Sequence, residues 1–148
     1  MGSKEVAVVV TAVAGSLVAL QAPINSRLGK AVGTFPAASI SFLIGTVLLV
    51  GIALASKEGY SRVGQISGLP WYYLLGGVLG AAYVTTVLLT VRTLGAGGVT
   101  AATISGQLAM SVVLDRLGIL GLPEKPLHAT RIVGVVLLAV GVYLVVRD

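Results

Sequence analysis

Val6 to Ser26 is a run of 21 residues without a charge, and four more uncharged runs follow it, at 31–56, 63–91, 93–114 and 132–146. A helix rises 1.5 Å per residue and a bilayer's hydrocarbon core is roughly 30 Å thick, so about 20 apolar residues cross it once. Five such runs leave too little polar chain to cover them as the core of a water-soluble domain. Charged residues make up only 10% of the 148 and hydrophobic ones 56%, so lipid is the solvent this chain is built for. In lipid every backbone N–H and C=O must be satisfied within the protein, which makes each run a helix.

These constraints describe an all-α integral membrane protein, a single transmembrane domain over residues 1–148. Its five transmembrane helices fall at about 6–26, 35–55, 71–91, 97–114 and 128–146. The fourth and fifth reach full length by extending through Gly97-Gly98 and through Leu127-His128-Ala129, with Arg131 snorkelling to the interface. Turn residues sit between the spans at Gly33, Gly59, Gly68-Leu69-Pro70, Gly95 to Gly98 and Gly121-Leu122-Pro123. Trp71, Tyr72, Tyr73 and Tyr143 have the character of interfacial anchors. Small residues recur every fourth position, at Thr11, Gly15 and Ala19, at Ala37, Ser41 and Gly45, and at Gly76 and Gly80, a spacing that lets helix backbones approach. The first run exceeds the apolar segment of a signal peptide and is expected to stay in the membrane.

Several function classes are excluded by what is missing. With no cysteine and one histidine, His128, there is no metal site and no thiol chemistry to expect. No nucleophile stands with a base and no pair of carboxylates is placed for acid and base roles, so neither an enzyme nor a bound cofactor is expected. The net charge of +5 comes from basic residues flanking apolar runs, which argues for lipid and against nucleic acid as the partner.

Those flanking charges are nearly balanced. Lys4, Lys57, Arg62, Arg116, Lys125 and Arg131 fall on the side of the N-terminus, and Arg27, Lys30, Arg92 and Arg147 on the other. Six against four is a weak orientation signal, compatible with insertion both ways. Because the number of spans is odd, two oppositely inserted copies form an inverted pair of ten helices, the arrangement on which many transporters rest. One copy of five short helices encloses little cavity, so a second copy of the chain is the expected partner.

Polar side chains within the spans are the candidate site. Gln21 and Asn25 lie four apart on the first helix with Pro23 between them. Pro23 withholds an N–H from Ala19, so this end is expected to bend and open into a binding wall, or else to clamp a neighbouring helix through the amides. Thr100, Thr103, Gln107 and Ser111 form one stripe on the fourth helix that ends in Asp115, with Gln107 near mid-depth. Tyr83 begins a weaker polar face on the third helix. The substrate-binding candidates are therefore Gln21, Asn25, Tyr83, Thr103, Gln107 and Ser111, and the boundary charges are Arg27, Arg92 and Asp115. No acid or base lies in the middle of a span to carry protons.

Three segments carry a resemblance over essentially the whole chain: Gln21-Ala22-Pro23-Ile24-Asn25-Ser26-Arg27-Leu28-Gly29, Pro70-Trp71-Tyr72 followed by Gly76-Gly77-Val78-Leu79-Gly80, and Thr103-Ile104-Ser105-Gly106-Gln107-Leu108 through Leu114-Asp115. The chain resembles the YdcZ-type family of bacterial inner-membrane proteins, a five-helix branch of the drug/metabolite transporter superfamily. The resemblance implies an exporter, working as a dual-topology homodimer, an opposed pair or a ten-helix fusion. The polar positions it matches are Gln21, Asn25, Arg27, Ser105, Gln107 and Asp115. The related small multidrug resistance proteins use a glutamate inside their first helix, and this chain has none there.

Together these readings lead to a multi-pass protein of the bacterial inner membrane, an antiparallel homodimer that moves a small organic solute by alternating access to a central site lined by the first, third and fourth helices. The reading from another class is a non-transporting scaffold whose polar stripe serves helix association alone.

Overall fold

The computed structural model describes residues 2–57 and 59–147, and every membrane-length element among them is an α-helix. Helix α1 covers Ser3–Val32 and α2 covers Thr34–Ala55. A helical run Leu75–Leu117 follows, and its 43 residues would extend about 64 Å, twice the thickness of a bilayer core. The run is divided at Gly95, whose φ of 68° and ψ of 169° belong to a region that essentially only glycine enters. We number the two parts α3 (75–94) and α4 (96–117), and the last helix, Ala129–Val146, α5. Each part is roughly 30 Å long, enough for one crossing, so the described residues hold five helices of membrane-crossing length once the run is divided at Gly95.

The helix ends differ from the expected ones. Where a connection was expected across 92–96, a single glycine, Gly95, serves, and Gly97 and Gly98 are helical, as in the extended fourth span. Helix α1 likewise runs six residues past Ser26, and Gly33 alone joins it to α2 with φ 94° and ψ 154°. The reason is common to both: a loop at this depth would leave amides unpaired, so helix persists until a glycine permits the turn. Gly33 is bonded on both sides, its N–H donating to Gly29 O and its O accepting from Ala37 N, each at 3.0 Å. The opening expected at Pro23 does not occur. Helix continues on both sides of it, because proline removes one hydrogen bond while the turns beyond it bond normally. The third helix begins at Leu75, since Trp71–Leu74 form a short 3-10 helix after another at Val63–Gly68. Trp71, Tyr72 and Tyr73 are exposed, and the Tyr72 and Tyr73 rings lie 4.9 Å apart, as suits an interfacial cluster.

The chain divides into two compact units, one ending at Leu89 and the other beginning at Thr90. In the first, α1 and α2 form a hairpin about Gly33. Ala22, Asn25, Ser26 and Gly29 are the buried face of α1, spaced as one helical stripe, and Ala37 and Ala38 are buried on α2. Val84 and Leu88 of α3 complete this core with Leu28 and Tyr83 packed against it, and Phe42 sits under Gly80. Small residues at the seam let the backbones approach, which is what drives helix association where lipid tails are as apolar as leucine. Not every position of the small faces is used in this way: a Cβ added at Gly15 or Gly76 meets nothing within 4 Å among the described residues.

In the second unit the start of α4 packs on the end of α5. A Cβ at Gly98 would stand 3.2 Å from Leu94 Cβ and 3.4 Å from Val146 Cγ2, and one at Gly97 would touch Val145. Elsewhere large apolar side chains are exposed, among them Val8, Leu17, Leu43 and Leu137. In lipid such exposure carries no hydrophobic penalty.

Candidate solute site and boundary ion pairs

The hairpin geometry decides what the two amides of α1 do. Asn25 and Ser41 stand eight residues on either side of Gly33, so an antiparallel pair brings them level. The Asn25 amide Nδ2 donates to Ser41 Oγ at 3.1 Å, and Asn25 is only 5% exposed. This is an interhelical clamp, of a kind that contributes about 0.6 kcal/mol on average within membranes. Gln21, one turn away, lies about a quarter turn around the helix from the middle of the buried stripe, at 100° per residue. It is exposed, and its amide has no partner among the described residues. Tyr83 is half-buried with its ring against the core of the first unit.

The stripe on α4 is also divided. Thr100 and Thr103 are half-buried, whereas Gln107 and Ser111 are exposed. Ser111 Oγ donates to Gln107 O at 2.7 Å, so the serine proton is used within its own helix, as Ser16 uses its proton on Ala12 O in α1. The Gln107 side-chain amide makes no hydrogen bond among the described residues. Gln107 lies 11 residues from the first residue of α4 and 10 from the last, about 16 Å from either end and so at the middle of the hydrocarbon. An amide left unpaired there costs on the order of several kcal/mol, so it must find water, a solute or another chain.

At the far end of α4 the charges pair closely. Asp115 Oδ2 accepts from Arg131 Nη1 at 2.9 Å and from Lys125 Nζ at 3.5 Å, and its backbone O accepts from Lys125 N at 2.8 Å. Arg116 pairs with Glu124. A carboxylate in the last turn of a helix and a cation in the first turn of the next each oppose the helix dipole, and bringing them together relieves both. Gly118, at φ 60°, allows this fold-back, since a Cβ there would stand 3.0 Å from Glu124 Cβ. Arg131, expected to snorkel, is thus held by Asp115, and the boundary charges Arg92 and Arg27 are exposed.

Comparison with known proteins agrees with this architecture. Residues 6–144 match the family described as "Putative inner membrane exporter, YdcZ". The chain belongs to this family. A curated relative, the inner membrane protein YdcZ of Escherichia coli (strain K12), is 33% identical over 109 residues, which cover 73% of this chain and 72% of the relative. No solved structure gives a significant match. Family membership and several helices of crossing length among the described residues make the chain a multi-pass protein of the inner membrane, in a family described by transport and not by catalysis.

Three partners escaped the sequence reading. Ser41 was counted only as a small residue, and its pairing with Asn25 becomes visible once Gly33 is known to be the whole connection. Lys125 and Glu124 lie in a connection where spacing carries no periodic signal, and the left-handed Gly118 brings them back to the helix end.

Proposed function

We propose that the chain is a secondary transporter exporting a small organic solute, which works by alternating access as an antiparallel homodimer inserted in both orientations. The observation that carries this reading is Gln107, a neutral amide at the middle of a membrane helix, exposed and unpartnered among the described residues. A group so placed is expensive unless a wetted path or a bound solute satisfies it. Gln21 supports the reading in the same way from α1. The odd number of helices and the six-to-four division of basic residues support the opposed pair.

Flux in proteoliposomes tests the function. Gln107→Ala removes about 1 kcal/mol of hydrogen bonding to solute and is expected to slow transport roughly fivefold. The variant should unfold at the wild-type temperature, because the amide makes no hydrogen bond among the described residues. Transport at the wild-type rate would remove Gln107 from the site, and a purified protein that moves no solute would leave a scaffold.

Topology has its own test. The chain lacks cysteine, so single cysteines at Lys30 and Lys57 report sidedness without background. Each is expected to react with an impermeant maleimide from both faces of the membrane. Labelling of each from one face only would mean a single orientation.

A further inference from the structure

We propose that the solute site lies on the two-fold axis of the antiparallel pair and is built from α4 of both copies, with Gln107 facing Gln107. The inference rests on the antiparallel reading above and adds where the site is and what it takes. Two copies related by an axis in the membrane plane exchange depths: a residue above the midplane in one meets a residue equally far below it in the other. Only a residue at mid-depth can meet its own counterpart, and Gln107 is at the middle of 96–117.

The neighbouring polar residues obey the same rule. Thr103 stands four residues before Gln107 and Ser111 four after, each about 6 Å along the helix. Antiparallel pairing therefore levels Thr103 of one copy with Ser111 of the other, on both sides of the glutamine pair. The stripe is self-complementary in that orientation. A parallel pair would set Thr103 against Thr103 and Ser111 against Ser111.

The donor and acceptor inventory defines the ligand class. Each carboxamide offers an oxygen and an NH₂, Thr103 a hydroxyl, and Ser111 chiefly acceptor capacity, since its proton is bonded to Gln107 O. No residue from 93 to 114 is charged. Such a site suits a neutral solute carrying both donors and acceptors, a polyol or a primary amide, and gives nothing to pair with a cation or a carboxylate.

Single-cysteine chains in native membranes, oxidised with copper phenanthroline, test the location. Gln107→Cys is expected to give a covalent dimer. Thr103→Cys and Ser111→Cys are expected to give one when co-expressed and little when expressed alone. Self-cross-linking of Thr103→Cys and of Ser111→Cys would overturn the proposal in favour of a parallel pair. Dimers captured by an amine-reactive cross-linker but lacking all of these disulfides would overturn the shared site while leaving the opposed homodimer standing. A chain that stays monomeric to both reagents would overturn both. Counterflow in proteoliposomes tests the ligand class: xylitol and acetamide are expected to exchange, tetraethylammonium and acetate are not, and any other pattern overturns the class.

Discussion

Gly95→Ala is expected to destabilise the folded chain by about 1–3 kcal/mol, the cost of holding a residue with a Cβ at φ 68° and ψ 169°. Nothing lies within 4 Å of the position a Cβ would take, so the loss comes from the backbone alone and not from a clash. Relaxing into continuous helix offers no escape. The strain would vanish, but a run of 43 residues is about twice as long as the hydrocarbon core and would drive apolar turns into water. Gly97→Ala is the control: Gly97 is helical, its Cβ would meet Val145 at an ordinary 3.9 Å, and alanine gains up to about 1 kcal/mol of helix propensity. Thermal unfolding in detergent should therefore fall for Gly95→Ala and hold or rise for Gly97→Ala. Equal effects at the two positions would show that the break between α3 and α4 does not depend on the glycine conformation.

The contrast between those neighbouring glycines shows which parts of the fold are legible in sequence. Five uncharged runs become five crossing helices because the requirement they answer, about 20 apolar residues per crossing, acts on composition and length alone. Helix ends are set by single residues instead. Gly95, Gly97 and Gly98 look alike as letters, yet only Gly95 of the three takes a positive φ, and Gly33 is the whole of a connection for which the expected spans left 27–34. The site separates along the same line. Periodicity places Gln21 and Asn25 near one face and Gln107 at mid-depth. Which amide of α1 is spent on a neighbour depends on the hairpin register, which buries Asn25 against Ser41 and leaves Gln21 exposed. The pairing of Asp115 with Arg131 and Lys125 required a fold-back at Gly118 that no spacing rule announces.

Ala37→Leu is expected to cost more than loss of the Asn25 clamp, and the comparison decides what holds the hairpin together. Ala37 has no exposed surface, and it stands as far after Gly33 as the buried Gly29 stands before it. A leucine there must push α1 and α2 apart or force neighbours off their rotamers, at about 1–3 kcal/mol or more for a seam with no room to give. Separation would also take Val84 and Leu88 of α3 out of contact, since they share the same core. Asn25→Ala removes one interhelical bond averaging about 0.6 kcal/mol, and Ser41 loses only a donor to its Oγ, its own proton remaining available for a carbonyl of its helix. If close backbone approach dominates, Ala37→Leu lowers the unfolding midpoint well beyond Asn25→Ala, and the double variant adds little because the leucine has already drawn the amide from its partner. If the clamp dominates, the order reverses. In that case Asn25 would be committed to structure and Gln21 and Gln107 would be left as the membrane-depth amides with solute to bind.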